Sequence, residues 1–192
     1  MKKLLTLPNF LTALRIAGAA CLLFIAPLSP EFFIVYTFCG ISDVLDGVIA
    51  RASHSTTEFG AKLDSAADLL FYSVMMLRIF PVLWECLPRV IWIYVGLVLA
   101  LRIASYTTAA LKYHRFAALH TYLNKLTGLM VFMTPYFIKT NVGVFYCFAA
   151  CAVGCLASAE ELTIHILRRE YRPGVMTIID LIKAEKKAKK AE

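Results

Sequence analysis

Long apolar runs, separated by short polar or proline-containing stretches, dominate the pattern of this chain. The runs exceed what core helices of a soluble domain normally need, and they match the length of a helix that crosses a bilayer. We therefore predict six helical spans, at Leu11–Leu28, Phe32–Ile49, Leu63–Phe80, Val90–Leu111, Leu123–Ile138 and Val142–Leu167.

Four prolines lie at two of the predicted connections. Pro27 and Pro30 separate the first two spans, and Pro81 and Pro88 separate the third from the fourth. Proline lacks a backbone N–H and clashes with the preceding helical turn, so we expect these residues to end the helices beside them.

Composition agrees with a membrane protein. Hydrophobic residues make up 60% of the 192, charged residues 17%, and the mean hydropathy is +0.70. A soluble domain normally carries about a quarter charged residues. We expect an all-α integral membrane protein with one six-helix transmembrane domain over residues 1–175. Residues 176–192 would form a basic amphipathic tail, either on an anionic membrane surface or as a solvated end.

The basic residues gather on one side of the predicted spans. That side holds Lys2, Lys3, Arg15, Arg51, Lys62, Lys112, Arg115, Lys125, Arg168, Arg169, Arg172 and the tail lysines, whereas the other has only Arg78, Arg89 and Lys139. The positive-inside rule places both termini, and the loops after spans two and four, in the cytoplasm.

Four aspartates lie where the second and third spans approach their connection. Asp43 and Asp46 are three residues apart and Asp64 and Asp68 are four apart, so each pair shares one helix face. The short connection predicts that the two helices are antiparallel neighbours and that the pairs face each other. Four converging acids repel unless a cation holds them, and oxygen-only ligands favour Mg²⁺, Mn²⁺ or Ca²⁺ over zinc.

Other residues around the acids fit a phosphate-bearing ligand. Gly47 and Gly60 leave room for close backbone approach, and Arg51 offers a planar donor suited to phosphate. The simpler alternative is a pair of exposed acids at helix ends, balanced by Arg51 and Lys62. It explains one pair but not both pairs together with both glycines.

These residues carry a resemblance to a known family. They match without a gap the signature D-x2-D-G-x2-A-R-x8-G-x3-D-x3-D of the CDP-alcohol phosphatidyltransferases: Asp43, Asp46, Gly47, Ala50, Arg51, Gly60, Asp64 and Asp68. The segment 8–15, Pro-Asn-Phe-Leu-Thr-Ala-Leu-Arg, also resembles the first-helix opening of many members. The resemblance implies a CDP-alcohol phosphotransferase-like fold of six transmembrane helices.

The resemblance also implies a role for each matched residue. Two divalent ions, Mg²⁺ or Mn²⁺, would be held by Asp43, Asp46, Asp64 and Asp68, and Asp68 would also act as general base on the acceptor hydroxyl. The cytidine and phosphates would be lined by Gly47, Ala50, Arg51 and Gly60, with Asn9, Thr12 and Arg15 closing the site from the first span. The site would lie at the cytoplasmic interface.

The implied reaction is transfer of a phosphatidyl group from CDP-diacylglycerol to a small polar alcohol, with release of CMP. The ions would neutralise the pyrophosphate and stabilise the departing CMP. The expected partners are CDP-diacylglycerol, the alcohol, membrane lipids and a second copy of the chain in a homodimer, with no nucleic acid. A bacterial-type cell membrane is the expected location.

The acceptor alcohol is less constrained. Arg102 lies about two helical turns inside its predicted span, where an arginine is a functional candidate. With Lys112, Arg115 and Lys125 it would bind a phosphate on the acceptor, which favours glycerol 3-phosphate. Anchoring by positive charge explains Lys112 and Arg115 equally well. Inositol phosphate, serine or another alcohol stay open, as does transfer of a CDP-linked headgroup to a lipid hydroxyl.

Two further alternatives concern other polar residues. A divalent-cation transporter would also need acids within the membrane, but its path is expected near the bilayer midplane, whereas these acids lie at one end of their helices. Glu160, Glu161 and His165 near the end of the sixth span form a possible second polar site. Pairing of these acids with Arg168 and Arg169 is the simpler prediction.

Overall fold

The structure, a computed structural model, describes residues 7–52, 58–113, 119, 121–168 and 177. Side chains at 7, 8, 47, 48, 50–52, 58, 59 and 61 are outside the description. The described regular structure is six helices: α1 Leu7–Leu22, α2 Pro30–Ala52, α3 Glu58–Cys86, α4 Arg89–Tyr113, α5 Tyr122–Phe137 and α6 Gly143–Leu167. The all-α prediction is confirmed, and the tail 176–192 lies almost entirely outside the described residues.

The ends of α1 and α3 each differ from the prediction by six residues. α1 ends at Leu22 rather than Leu28, and the chain then turns, with Leu28 at a φ of 61°. The prediction that Pro81 ends the third helix is wrong, because α3 continues through Pro81 to Cys86. A proline removes only one backbone hydrogen bond from a long helix, and such prolines are tolerated in helices that pack in a membrane. Pro30, by contrast, is the first residue of α2, where no N–H is needed.

Three of the described helices are long and apolar enough to cross a membrane: Lys62–Cys86, Arg89–Tyr113 and Gly143–Leu167. A shorter apolar helix covers Asn9–Leu22. The 16 residues of α5 reach about 24 Å, less than the roughly 30 Å of a hydrocarbon core. Large apolar side chains such as Ile34, Leu111 and Phe145 remain exposed, as expected for helices surrounded by lipid.

The chain divides into two compact units, Met1–Cys86 and Leu87–Glu192. In the first unit, α1 packs against both α2 and α3. Its buried face is a stripe of residues spaced three to four apart: Asn9, Thr12, Arg15, Ala19 and Leu22. Close packing on α2 requires a small residue at Gly18, because a Cβ there would lie 2.7 Å from Cys39 Sγ.

Contacts between α2 and α3 show that the two helices run antiparallel. The Tyr36 ring stacks on the Phe71 ring with 5.6 Å between centroids, and both lie further from the α2–α3 connection than the acids do. At the far end of this unit, Arg78 of α3 donates a hydrogen bond to the carbonyl of Ile25, in the turn between α1 and α2.

In the second unit, α6 packs against both α4 and α5. The Thr121 hydroxyl caps α5 by accepting from the Asn124 N–H at 3.2 Å. α6 starts at a position that requires glycine, because a Cβ at Gly143 would lie 2.4 Å from the Phe137 carbonyl oxygen. A lysine at the end of α4 caps the last carbonyl groups of α6. Lys112 Nζ donates hydrogen bonds to the His165 and Ile166 carbonyls at 2.9 and 2.7 Å.

Candidate functional site

A buried arginine stands at the centre of the aspartate cluster. Arg15 Nη1 lies 2.7 Å from Asp43 Oδ1, 3.1 Å from Asp64 Oδ1 and 2.6 Å from Asp68 Oδ1. Its other terminal nitrogen, Nη2, donates to Asp46 Oδ2. The Arg15 side chain is 1% exposed, so these four carboxylates surround a guanidinium that water barely reaches.

Three helices bring these groups together. Asp43 and Asp46 lie near the end of α2, Asp64 and Asp68 lie in the first half of α3, and Arg15 lies on the buried stripe of α1. The two acid pairs face each other, as the sequence predicts. The prediction that α2 and α3 are direct neighbours needs correction. The two helices hardly pack against each other, because α1 packs against both and inserts Arg15 between their acids.

The four carboxylates have two different environments. The side chains of Asp43, Asp64 and Asp68 are 46%, 44% and 42% exposed. Asp46 is 6% exposed and accepts hydrogen bonds from Arg15 and from Thr12 Oγ1, the latter at 3.1 Å. Asp46 is therefore tied to α1, whereas the other three acids open to an accessible surface.

The three open carboxylates fit a hard divalent ion. Asp43, Asp64 and Asp68 each offer an oxygen, and these atoms lie within 4.8 Å of one another, so the group could hold a metal ion. Mg²⁺ and Mn²⁺ prefer oxygen ligands, and Mg²⁺ typically keeps waters and combines one or two carboxylates with substrate phosphates. Four carboxylates and one guanidinium carry a formal charge of −3 (four negative, one positive), which attracts a cation.

The predicted nucleotide-lining residues surround the same end of α2 and α3. Asn9 is buried on the α1 stripe beside Thr12, and Gly60 lies in the first turn of α3. Gly47, Ala50 and Arg51 occupy the last turns of α2: their backbone is described, but their side chains are not. Their nucleotide-binding role stays a prediction.

A second polar cluster occupies the core of the second unit. Glu161 of α6 is fully buried and accepts hydrogen bonds from the backbone N–H of Leu119 at 2.8 Å, Asn124 Nδ2 at 3.1 Å and Arg102 Nη1 at 3.0 Å. Arg102 Nη1 also donates to Asn124 Oδ1 at 3.0 Å. Buried His165 lies one turn later, with Nε2 3.8 Å from Glu161.

The contacts of Arg102 in this cluster differ from the prediction. Arg102 is not a lone buried cation, because its counterion is Glu161, 59 residues later in the chain. Sequence spacing detects partners within one helix, which is why Arg168 and Arg169 were expected to pair with this acid instead. Arg169 lies outside the described residues, and Glu161 has its described ion pair with Arg102.

The other predicted acceptor-binding residues have separate positions. Lys112 Nζ is taken up by two carbonyls at the end of α6, which is a capping role. Lys125 Nζ lies 5.9 Å from the centre of the Tyr122 ring. Arg115 lies outside the described residues. Within the described part, these cations do not converge on a single group of atoms.

Two residues have more extensive contacts than the sequence predicts. Arg15 was expected only to close the site from α1, although polar residues at 9, 12 and 15 on an otherwise apolar helix already indicated a polar contact face. Glu161 was interpreted as a local ion-pair partner, and nothing in its local spacing pointed to Arg102 or to the Leu119 backbone.

Comparison with known proteins agrees with the signature. The model of the family described as CDP-alcohol phosphatidyltransferase matches residues 5–158. A cardiolipin synthase (CMP-forming) of Streptomyces coelicolor is 37% identical over 78 residues, which cover 36% of this chain and 36% of that protein. A CDP-diacylglycerol–glycerol-3-phosphate 3-phosphatidyltransferase of Pseudomonas fluorescens is 33% identical over 95 residues, 45% of this chain and 49% of that protein.

The chain thus spans half or less of the length of either relative, and no solved structure matches it. The family match is far more extensive than these pairwise alignments. It covers most of the chain, including Arg15 and all four aspartates of the cluster. The chain belongs to the CDP-alcohol phosphatidyltransferase family.

Proposed function

We propose that this protein transfers the phosphatidyl group of CDP-diacylglycerol to a small polar alcohol and releases CMP. The observation that carries the proposal is the convergence of four carboxylates from α2 and α3 in a chain of this family. The names of the two relatives support it, because one is CMP-forming and the other acts with CDP-diacylglycerol and glycerol 3-phosphate.

Divalent ions, Mg²⁺ or Mn²⁺, would be held by Asp43, Asp64 and Asp68, with Asp46 completing the set. When bound, they would supply positive charge to the pyrophosphate and to the departing phosphate oxygen. The half-exposed positions of the three open carboxylates support access by a ligand that carries its own phosphates. Asp46 would keep the set in register, because Thr12 and Arg15 tie it to α1.

Asp68 would receive the proton of the acceptor hydroxyl. The hydroxyl oxygen then attacks the phosphorus that carries the diacylglycerol, the bond from that phosphorus to the bridging oxygen breaks, and CMP leaves with the bridging oxygen. General-base assistance of this kind contributes about 10²–10⁴-fold to the rate. The exposure of the Asp68 side chain supports this role, since an acceptor must reach its oxygen.

The favoured acceptor is glycerol 3-phosphate. Arg102 is 23% exposed, and Glu161 and Asn124 hold its Nη1 in place, so the guanidinium is oriented but still accessible. An oriented guanidinium suits the paired oxygens of a phosphate. Lys112, Arg115 and Lys125 would add positive charge. A second candidate, favoured by the similarity to a cardiolipin synthase, is an acceptor that is itself a phospholipid alcohol.

Six membrane crossings, with both termini and the aspartate cluster at the cytoplasmic face of a bacterial-type cell membrane, are part of the proposal. Support comes from the six helices, three of which are long and apolar enough to span, and from the one-sided distribution of basic residues. A homodimer is also expected. Tag accessibility in right-side-out and inverted vesicles tests the topology, and crosslinking in native membranes tests the dimer.

The decisive experiment is an acceptor panel. Purified protein is incubated with labelled CDP-diacylglycerol, Mg²⁺ or Mn²⁺, and glycerol 3-phosphate, inositol phosphate, serine, glycerol or phosphatidylglycerol. We expect CMP and a new lipid with glycerol 3-phosphate, and competition by inorganic phosphate. Turnover with phosphatidylglycerol alone would select the second candidate. Absence of CMP release with every acceptor contradicts the proposed function.

Arg102→Gln separates acceptor binding from lipid binding. The KM for the acceptor should rise more than the KM for CDP-diacylglycerol, because only the acceptor phosphate would contact this guanidinium. Lys139→Gln removes the same charge from an exposed position after α5 and serves as the control. Equal effects of Arg102→Gln on both KM values would remove Arg102 from the acceptor site.

A further inference from the structure

One guanidinium nitrogen lies where a cation shared by the open carboxylates would be expected. Arg15 Nη1 is 2.6–3.1 Å from an oxygen of each of Asp43, Asp64 and Asp68. The same three residues are the group whose oxygens lie close enough to hold a metal ion. Divalent ions contact carboxylate oxygens at about 2.0–2.6 Å. An ion shared by all three acids would therefore overlap the space that Nη1 occupies.

We propose that Arg15 is an internal counter-cation that competes with divalent ions for this cluster. Its guanidinium holds the four carboxylates together before ions bind, and Nη1 must leave Asp43, Asp64 and Asp68 when they do. The inference concerns ion binding by this chain and is independent of which alcohol accepts the phosphatidyl group. It does rest on the divalent-ion part of the proposed function.

One terminal nitrogen of Arg15 is anchored, so the other can move. Nη2 donates to Asp46, and Asp46 is held a second time by Thr12, one turn earlier on α1. Nη1 can therefore withdraw from the three open acids while Nη2 keeps its bond to Asp46. Arginine is suited to this task because it stays charged at every working pH and presents several donors in one planar group.

The carboxylates satisfy the two terminal nitrogens of the guanidinium but, in the described part of the chain, leave its third nitrogen unpaired. Arg15 Nε is buried, and it has no hydrogen-bond partner within the described residues. Buried donors are normally satisfied, so this one can take an acceptor that a bound ligand brings. When Nη1 leaves the open carboxylates, Nε and Nη1 become donors for a phosphate oxygen. Ion binding and binding of a diphosphate ligand would then reinforce each other.

A permanent structural role for Arg15 makes a different prediction. If Arg15 only fixes α1 against α2 and α3, loss of its charge should leave ion affinity unchanged or weaken it through disorder of the acids. Competition predicts tighter binding, because the ions no longer displace a cation that is in direct contact with their ligands. The two roles therefore differ in the sign of the change in affinity.

The test measures Mn²⁺ binding directly, without turnover. The full chain is purified in detergent, stripped with chelator and titrated with Mn²⁺ while free Mn²⁺ is followed by electron paramagnetic resonance. Arg15→Gln should bind Mn²⁺ about tenfold or more tightly than the parent, since a charge in contact with the ligands is removed. Lys139→Gln removes one exposed charge from the turn after α5 and should change affinity by no more than about twofold.

A second variant and a second measurement guard against misfolding. Arg15→Lys keeps the charge, but one ammonium cannot contact Asp46 and the three open acids together, so it should also bind Mn²⁺ more tightly than the parent. In thermal unfolding, Mn²⁺ should raise the midpoint of both variants more than that of the parent. Affinity in both variants equal to or below the parent's overturns the competition. Absence of Mn²⁺ binding in the parent and both variants would also contradict the ion part of the proposed function.

Discussion

The Glu161 cluster allows a quantitative prediction of stability. Glu161→Gln keeps the shape of the side chain but removes the counterion of Arg102, and it turns an acceptor oxygen into an N–H among three donors. Removing one partner of a buried ion pair costs about 3–5 kcal/mol. Arg102 is 23% exposed and regains some hydration, which lowers the expected loss to about 2–3 kcal/mol.

The measurement is thermal unfolding in detergent, followed by the fluorescence of the two tryptophans. For a chain of this size each kcal/mol shifts the midpoint by about 2–4 °C, so Glu161→Gln should lower it by about 4–12 °C. Glu85→Gln removes the same charge from an exposed position near the end of α3 and is the control. The double variant with Arg102→Gln should lose less stability than the sum of the two single changes. A Glu161→Gln midpoint within about 2 °C of the parent's corresponds to a loss of about 1 kcal/mol or less and would contradict this role of Glu161.

Three shorter predictions test the site and one turn. Asp64→Asn should abolish CMP release, as should a chelator added to the parent, and full turnover in chelator would exclude a divalent-ion requirement. Asp68→Asn should keep CDP-diacylglycerol binding while turnover falls about 10²–10⁴-fold, measured by lipid binding alongside CMP release. Gly143→Ala should destabilise by about 1–3 kcal/mol, because its Cβ would lie 2.4 Å from the Phe137 carbonyl oxygen. Gly128→Ala, whose Cβ meets nothing within 4 Å, should not destabilise.

Local patterns in the sequence identified the six helices and the two acid pairs. Apolar run length locates a helix, and spacings of three and four place two acids on one face, so both features follow from the geometry of a single helix. The end of α3 was predicted wrongly because Pro81 lies inside the helix. Whether a helix tolerates a proline depends on the packing around that helix, which the proline itself does not reveal.

Long-range contacts could not be predicted from local patterns in the sequence. Arg15 meets acids 28 to 53 residues away, and Arg102 meets Glu161 at a separation of 59, so both depend on which helices pack together. A polar residue on an apolar helix shows that a partner is needed, since burying it alone is costly. It does not show which helix supplies that partner.

The hydrogen bond from Arg78 to the Ile25 carbonyl has a consequence for the aspartates at the other end of α3. Residues 64 and 78 are 14 positions apart, about 21 Å along a helix. α3 is thus fastened to the α1–α2 hairpin at two distant points, with Phe71 and Val74 buried between them. Sliding α3 by a single turn would break both attachments at once. The hydrogen bond at Arg78 therefore helps to fix the position of Asp64 and Asp68 along the axis of α3, and so their distance from Arg15.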